Sequence, residues 1–291
     1  MAVDVKMPFS EVLGRKRRRF PFLIVLSLSI VGALVLVACF AGWIAPYDYA
    51  AIDLRIRLTP PAWYPKGTPA HLLGTDDLGR DVLSRLIHSI RTSLVVALLG
   101  CVISAILGTC LGFLSAHFRG WVDEVVMGAV DFQAALPFII LALAVVAFFN
   151  SSIVLFVGLM GIYGWERYAR LTRAMTLSAL SHGYAVAVHT LGARPVRIYF
   201  RHILPNIANT LIVTMTLNFP QIVLLETSLS FLGVGIQPPM TSLGNMVGFG
   251  RDYLLTAWWI AIFPAATIFL GTLAISLLGD WLRDKLDPTL R

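Results

Sequence analysis

The sequence predicts an all-α integral membrane protein with six transmembrane helices, a cytoplasmic helical hairpin and an interfacial helix on the outer side. Three observations carry this. Of 291 residues 57% are hydrophobic and 13% charged, against about 45–50% and about 25% in soluble domains, and the mean hydropathy is +0.79. Stretches without Asp, Glu, Lys or Arg run over 20–47, 92–118, 132–165, 202–225, 227–250 and 253–279, and a spanning helix needs roughly 20 apolar residues. Lys and Arg are shared unequally among the connecting segments, as they are in membrane proteins of fixed orientation. This composition does not fit a soluble enzyme, a disordered chain or a nucleic-acid-binding chain.

Residues 1–20 read as a basic cytoplasmic N-terminus and 21–45 as the first transmembrane helix. The basic run Arg15-Lys16-Arg17-Arg18-Arg19 before an apolar stretch also resembles a secretion signal, and Leu36-Val37-Ala38-Cys39 a lipoprotein cleavage site. The apolar run is longer than a signal core, which favours a retained anchor. Segment 46–91 is an outer loop. Its first half holds Pro60, Pro61, Pro65, Gly67 and Pro69 and cannot stay regular for long. From Gly79 on, Val82, Leu83, Leu86, Ile87 and Ile90 share one helical face and Arg80, Asp81, Arg85 and Arg91 the other, with Thr75 or Asp76 available as cap. That pattern reads as an interfacial helix leading into the second span, and also as a surface for an external partner.

Residues 92–280 form the core, with five further spans near 92–116, 125–149, 152–167, 207–229 and 256–280. The run 132–165 is too long for one helix and is divided at Asn150-Ser151-Ser152. The run 227–250 holds Gly233, Gly235, Pro238, Pro239, Gly244, Gly248 and Gly250, too many breakers for a span. Gly100, Ser104, Gly108 and Gly112 recur every four residues in the second span, a pattern that permits close packing against a helix of this chain or of a partner. Residues 281–291 are a tail. Of the 23 Lys and Arg, 16 fall in the N-terminus, in the stretch from Arg167 through the loop 168–206, at Arg119 and in the tail, which predicts both termini in the cytoplasm.

The loop 168–206 carries two amphipathic patterns. Tyr184, Val188 and Leu191 share a face, Gly192-Ala193-Arg194-Pro195 breaks the helix, and Val196, Tyr199, Phe200 and Ile203 share the next face, opposite Arg197 and Arg201. Pro205-Asn206 is expected to end this second helix and start the fifth span. Such a hairpin either rests near anionic lipid or is a handle for another protein.

At these residues the chain resembles a family. Gly192-Ala193-Arg194-Pro195-Val196-Arg197-Ile198-Tyr199-Phe200-Arg201-His202-Ile203-Leu204-Pro205-Asn206 looks like the cytoplasmic signature of the membrane subunits of ATP-binding-cassette importers. There a Glu-Ala-Ala triplet precedes the Gly; here Val186, Ala187 and Val188 occupy it, so the acidic residue is absent. Segments 73–94, 229–239 (Leu-Ser-Phe-Leu-Gly-Val-Gly-Ile-Gln-Pro-Pro) and the tail from Gly279 to Pro288 resemble the dipeptide, oligopeptide and nickel branch, specifically the second of its two permeases. Leu243 before Gly244 and Ala265 after Pro264 depart from that pattern.

The resemblance implies a bacterial inner-membrane permease subunit forming half of a translocation pathway for peptides. Nickel chelates, glutathione-like peptides and opines are alternative cargoes within the branch. Implied partners are a second homologous permease, two ATPase subunits that use ATP and Mg, a periplasmic substrate-binding protein and the lipid bilayer, with no nucleic acid. None of the four lysines is preceded by Gly and followed by Ser or Thr, so the phosphate-cradling loop is expected on another chain. With no metal-ligand spacing among its Cys and His, this chain is expected to bind no cofactor and no metal and to be a non-catalytic subunit, not an enzyme. In that reading Tyr184, Ala187, Val188, Leu191, Gly192, Ala193, Pro195, Phe200, Leu204 and Pro205 couple to the ATPase.

Asp131 and Glu226 interrupt apolar runs and are candidate pathway residues, since an intramembrane carboxylate is costly unless it has a task. Trp258 and Trp259 read as interfacial anchors, and Phe148-Phe149 as lipid-facing or packed. Cys39, Cys101 and Cys110 read as small buried hydrophobes. An ion-coupled secondary transporter would carry more buried carboxylates and paired broken helices. An intramembrane enzyme would need a positioned nucleophile and base, and no such set stands out in the predicted spans.

Overall fold

The computed structural model of the chain describes residues 21–149, 152–181 and 195–286. Among these the regular structure is helical apart from one isolated bridge between Thr75 and Asp81. The principal helices are α1 (Pro21–Cys39), α2 (Val82–Phe118), α3 (Gly120–Ala135), α4 (Phe138–Phe149), α5 (Ile153–Ile162), α6 (Trp165–Leu180), α7 (Leu204–Phe231), α8 (Leu243–Gly250) and α9 (Trp259–Leu286). By length and composition, four described helical stretches can cross a membrane: Phe22–Cys39, Val82–Phe118, Pro195–Phe231 and Trp259–Leu286. The pair α3 and α4 adds a fifth if it is one broken span.

Two expected spans take a different form. The helix expected over 125–149 is bent by 92° between Ala135 and Phe138. Pro137 is the cause: the residue before a proline is pushed out of the helical region, and Leu136 sits at φ −87°, ψ 133°. The span expected over 152–167 is a ten-residue helix, α5, capped by Ser152 Oγ accepting from the Leu155 amide at 3.2 Å. It is only about 15 Å long. It ends at Tyr163, and Gly164 at φ 84° turns the chain into α6, a conformation open to glycine at little cost.

The outer amphipathic helix is not separate from the second span. Val82–Phe118 is one helix of 37 residues, about 55 Å long. Its cap is Asp81 rather than Thr75 or Asp76: Oδ2 accepts from the Ser84 amide at 2.7 Å and from Ser84 Oγ at 2.8 Å. Nor is the start of its charged face solvated, because the outer loop folds over it and leaves Arg85 4% and Asp81 3% exposed, whereas Arg91 further along is exposed. The loop is otherwise irregular apart from the short turn Leu54–Ile56, and the first helix expected over 21–45 ends at Cys39, followed by the short helix Ala41–Ile44.

The small residues of α2 meet helices of the same chain. A Cβ on Gly100 would lie 2.7 Å from Met160 Cβ, one on Gly108 2.2 Å from the Trp165 carbonyl oxygen, and one on Gly112 2.6 Å from that of Ala169. Backbone contact of this kind is what glycine at four-residue spacing permits. The order of the contacts makes α2 run in the same direction as α5 and α6.

The core is built from α2 (Val96, Ala97, Cys101), α5 (Phe156, Leu159, Met160), α7 (Ile222, Val223, Leu229) and α9 (Ile268). Around it, Leu98, Ile106, Ile140, Phe148, Phe149 and Phe269 point outward, as side chains do on helices that face hydrocarbon.

Pro205 does not end a helix. Pro195–Ile198, a π-helical turn Tyr199–Ile203 and α7 run on continuously. Pro205 has no N–H and its ring would strike the carbonyl of Arg201. The preceding turn widens to avoid this, with the Leu204 amide donating to the Tyr199 carbonyl five residues back.

Candidate functional site

Of the expected coupling residues, Tyr184, Ala187, Val188, Leu191, Gly192 and Ala193 lie outside the described residues. Pro195, Phe200, Leu204 and Pro205 are described. Their stretch splits differently from the expected apolar face, because the π turn changes the register. Ile198 (3%), Tyr199 (9%) and Ile203 (0%) turn inward, where they pack on Phe113 at the end of α2 and Ala179 at the end of α6. The Tyr199 hydroxyl pairs with His117 Nδ1 at 2.9 Å. Val196 and Phe200 are exposed, and so are Pro195 and Pro205. The second half of the predicted hairpin is therefore anchored to two other helix ends and presents a small apolar surface outward.

The first part of the 168–206 loop is the helix α6. Its buried side, Tyr168, Thr172, Thr176 and Ala179, packs on α2, and its other side is a row of arginines. Arg173 donates to both carboxylate oxygens of Asp123, which also accepts from Ser115 Oγ of α2. Arg170 Nη2 donates to Asp131 Oδ1 at 2.6 Å. Arg167 donates to the side-chain oxygen of Gln221 on α7 and lies 3.7 Å from Glu166. Asp131 is thus on an outward face, its side chain 71% exposed.

Glu226 is fully buried. Ser93 Oγ of α2 donates to Oε2 at 3.2 Å and Ser230 Oγ to Oε1 at 2.8 Å. Ser93 Oγ also accepts from the Leu243 amide at 3.1 Å, so one carboxylate gathers α2, α7 and the start of α8. The two candidate carboxylates are on different helices with different surroundings, and nothing brings them together.

On the outer side Asp76 is the hub. Its Oδ1 accepts from the amides of Leu78 and Arg80, both at 2.9 Å, its Oδ2 from Arg80 Nε at 2.8 Å, and it also pairs with Arg85. His71 Nδ1 lies 3.0 Å from Asp81. Trp259 is 4% exposed and donates from Nε1 to the Thr75 carbonyl at 3.0 Å. It holds the loop to α9 and does not serve as a surface anchor. Phe148 and Phe149 are exposed at the end of α4. Cys101 is buried, whereas Cys39 and Cys110 are exposed, on helices whose outer sides are apolar.

Arg167, Arg170 and Gln221, which meet along the arginine row of α6, do not stand out in the sequence. Their three-residue arginine spacing was visible, but it reads equally well as cytoplasmic charge until the partners on α3 and α7 are known.

Comparison with known proteins gives one consistent result. Residues 108–291 match the family described as binding-protein-dependent transport system inner membrane component, and residues 23–61 match the N-terminal TM domain of oligopeptide transport permease C. The chain is 43% identical over 258 residues to the di/tripeptide transport system permease protein DppC of Pseudomonas aeruginosa, covering 89% of this chain and 85% of that one. It is 43% identical over 267 residues to the dipeptide transport system permease protein DppC of Escherichia coli K12, covering 92% and 89%. The Haemophilus influenzae protein of the same name is 35% identical over 266 residues, covering 91% and 90%.

Proposed function

The chain belongs to the family of binding-protein-dependent transport system inner membrane components, and on that premise we propose that it forms half of the pathway of an ATP-driven peptide importer. The observation that carries this reading is the extent of the likeness: relatives named as dipeptide and di/tripeptide permeases align across nearly their whole length. The chain lacks a Gly-Lys-Ser or Gly-Lys-Thr loop, so ATP and Mg are used by separate ATPase subunits. Two of these dock on the cytoplasmic side, a second homologous permease closes the pathway, and a periplasmic binding protein delivers the cargo. This subunit moves cargo and does no covalent chemistry. It sits in a bacterial inner membrane with both termini in the cytoplasm, a reading supported by the excess of Lys and Arg in the N-terminus, the 168–206 loop and the tail.

Coupling in this reading is mechanical. The hairpin around Gly192 seats in a groove of the ATPase, with Val196 and Phe200 as exposed apolar contacts. Closure of the ATPase pair on ATP shifts the hairpin as a unit. Pro195–Phe231 is one helical rod, and Ile198, Tyr199 and Ile203 tie it to the ends of α2 and α6, so displacement of the hairpin is carried into three helices at once. Two global states biased from two separate sites is the physical content of such coupling. Of the two pathway candidates, Asp131 faces outward from the chain. Glu226 lies behind the surface and keeps α2, α7 and α8 in register.

The experiment is gentle extraction from the native membrane followed by mass spectrometry of the intact assembly. Recovery of a second permease together with chains that carry phosphate-binding loops supports the reading. Recovery of this chain alone, repeated after crosslinking, contradicts it.

A further inference from the structure

We infer that Arg167, presented with Gln221 beside the break between α5 and α6, is a station within the pathway that takes the carboxylate of the passing peptide; this rests on the importer reading above. Depth is the first argument. Gln221 lies within α7, ten residues from its end at Phe231, or about 15 Å. Arg167 bonds to it, and the neighbouring Trp165 and Tyr168 pack on Gly108, ten residues and again about 15 Å from the end of α2 at Phe118. Both side chains nevertheless point out of the chain, Arg167 with 46% of its side chain exposed. A guanidinium facing hydrocarbon at that depth costs several kcal/mol, and such groups face water-filled cavities instead. The outward face of α6 and α7 at this level is therefore wet, which in a permease pair means the pathway.

Chemistry is the second argument. Arg170, one turn along, is neutralised by Asp131. Arg167 has a neutral amide oxygen as its close partner, and Glu166, 13% exposed, comes no nearer than 3.7 Å. Its planar fork of five donors keeps room for a carboxylate, the group it matches in a bidentate fashion.

The third argument is the break itself. Gly164 gives α6 no side-chain cap; the Arg167 amide donates to the Gly164 carbonyl at 3.2 Å, which leaves the Trp165 and Glu166 amides as the donors at the positive end of the helix. Behind Gly164 lies Asn218, 1% exposed, with the Tyr168 hydroxyl as a polar neighbour and hydrogen-bonding capacity of its side-chain amide left over. Helix breaks with free donors at mid-membrane are where transporters hold anionic groups of their cargo.

The test uses the complete assembly with its partner permease, ATPases and binding protein in proteoliposomes. Arg167→Met should reduce ATP-driven uptake of a radiolabelled dipeptide at least about tenfold, the scale of one lost charge-assisted bond. Stimulation of ATP hydrolysis by the loaded binding protein should persist, and Arg167→Lys should retain part of the uptake. With the three native cysteines replaced, Arg167→Cys should react with a permanently cationic, water-soluble thiol reagent while Phe148→Cys does not. Unreduced uptake by Arg167→Met, or an unreactive Arg167→Cys, would overturn the proposal; if the Met variant fails to assemble, the labelling decides. Absence of ATP-driven uptake by the unsubstituted assembly would instead remove the importer reading, and this proposal with it.

Discussion

Asp76 and Arg85 form an ion pair almost wholly out of solvent, at 1% and 4% exposure, and it fastens the outer loop to the first turns of α2. Arg80 shares the same carboxylate, and the Leu58 amide donates to the Asp76 carbonyl at 3.0 Å. The outer loop is thus clamped to the spanning helices and is not a loose connection.

Removing one partner of that clamp should be costly. Asp76→Ala leaves the Arg85 guanidinium buried without its counter-charge, and we expect a loss of about 3–5 kcal/mol. Thermal unfolding in detergent, followed by intrinsic tryptophan fluorescence, reads this. The paired change Asp76→Leu with Arg85→Met should recover only the part due to the stranded Arg85 charge, because the amides of Leu78 and Arg80 and the Arg80 side chain still lose their acceptor.

The close approach of α2 to α6 predicts a contrast between two glycines. Gly108→Ala places a methyl group 2.2 Å from the Trp165 carbonyl oxygen, so the helices must separate and the melting temperature must fall. At Gly128 nothing lies within 4 Å, and Gly128→Ala in mid-helix should be neutral or stabilising by roughly 0.5–1 kcal/mol. Equal effects at the two positions would contradict the packing described.

Glu226 sits among serine hydroxyls, which makes its shape more important than its charge. Glu226→Gln keeps an acceptor and adds donors that the hydroxyls can meet by rotating, and should change stability by less than about 1 kcal/mol. Glu226→Leu strands the hydroxyls of Ser93 and Ser230, and should cost about 1–3 kcal/mol for each that finds no new partner. Differential unfolding of the purified variants separates these outcomes.

Gly192→Asp should leave the spans inserted and assembled yet uncouple transport. Uptake in proteoliposomes falls while ATP hydrolysis continues, if the hairpin carries the stroke. Wild-type uptake would show that it does not.

Much of the architecture was legible because hydrocarbon imposes a simple rule on charge. Runs free of Asp, Glu, Lys and Arg located α1, α2, α7 and α9, and the glycines after Phe231 marked where α7 stops. Pro137 was a legible signal that the length of the surrounding apolar run obscured. Gly164 was harder, since a glycine in an apolar stretch is tolerated in a spanning helix, and only its positive φ reveals the turn into α6. The fate of Arg85 could not be read locally: its helical face is polar, and it is buried because a loop residue nine positions earlier folds back onto it. The carboxylates Asp131 and Glu226 stood out as charges in apolar runs, but Arg170 and Ser93, which distinguish an outward ion pair from an enclosed serine nest, come from other helices, and only Ser230 is on the same helix as its carboxylate. Arg167 remained hidden for the same reason.

The central claim is that this chain works by moving with an ATPase it does not contain. The most direct measurement is uptake of a radiolabelled dipeptide by proteoliposomes holding the full assembly and its binding protein, with ATP supplied on the side of the ATPase subunits. The account predicts uptake that requires hydrolysable ATP and is indifferent to proton and sodium gradients. Uptake sustained by an ion gradient in the absence of ATP would contradict it.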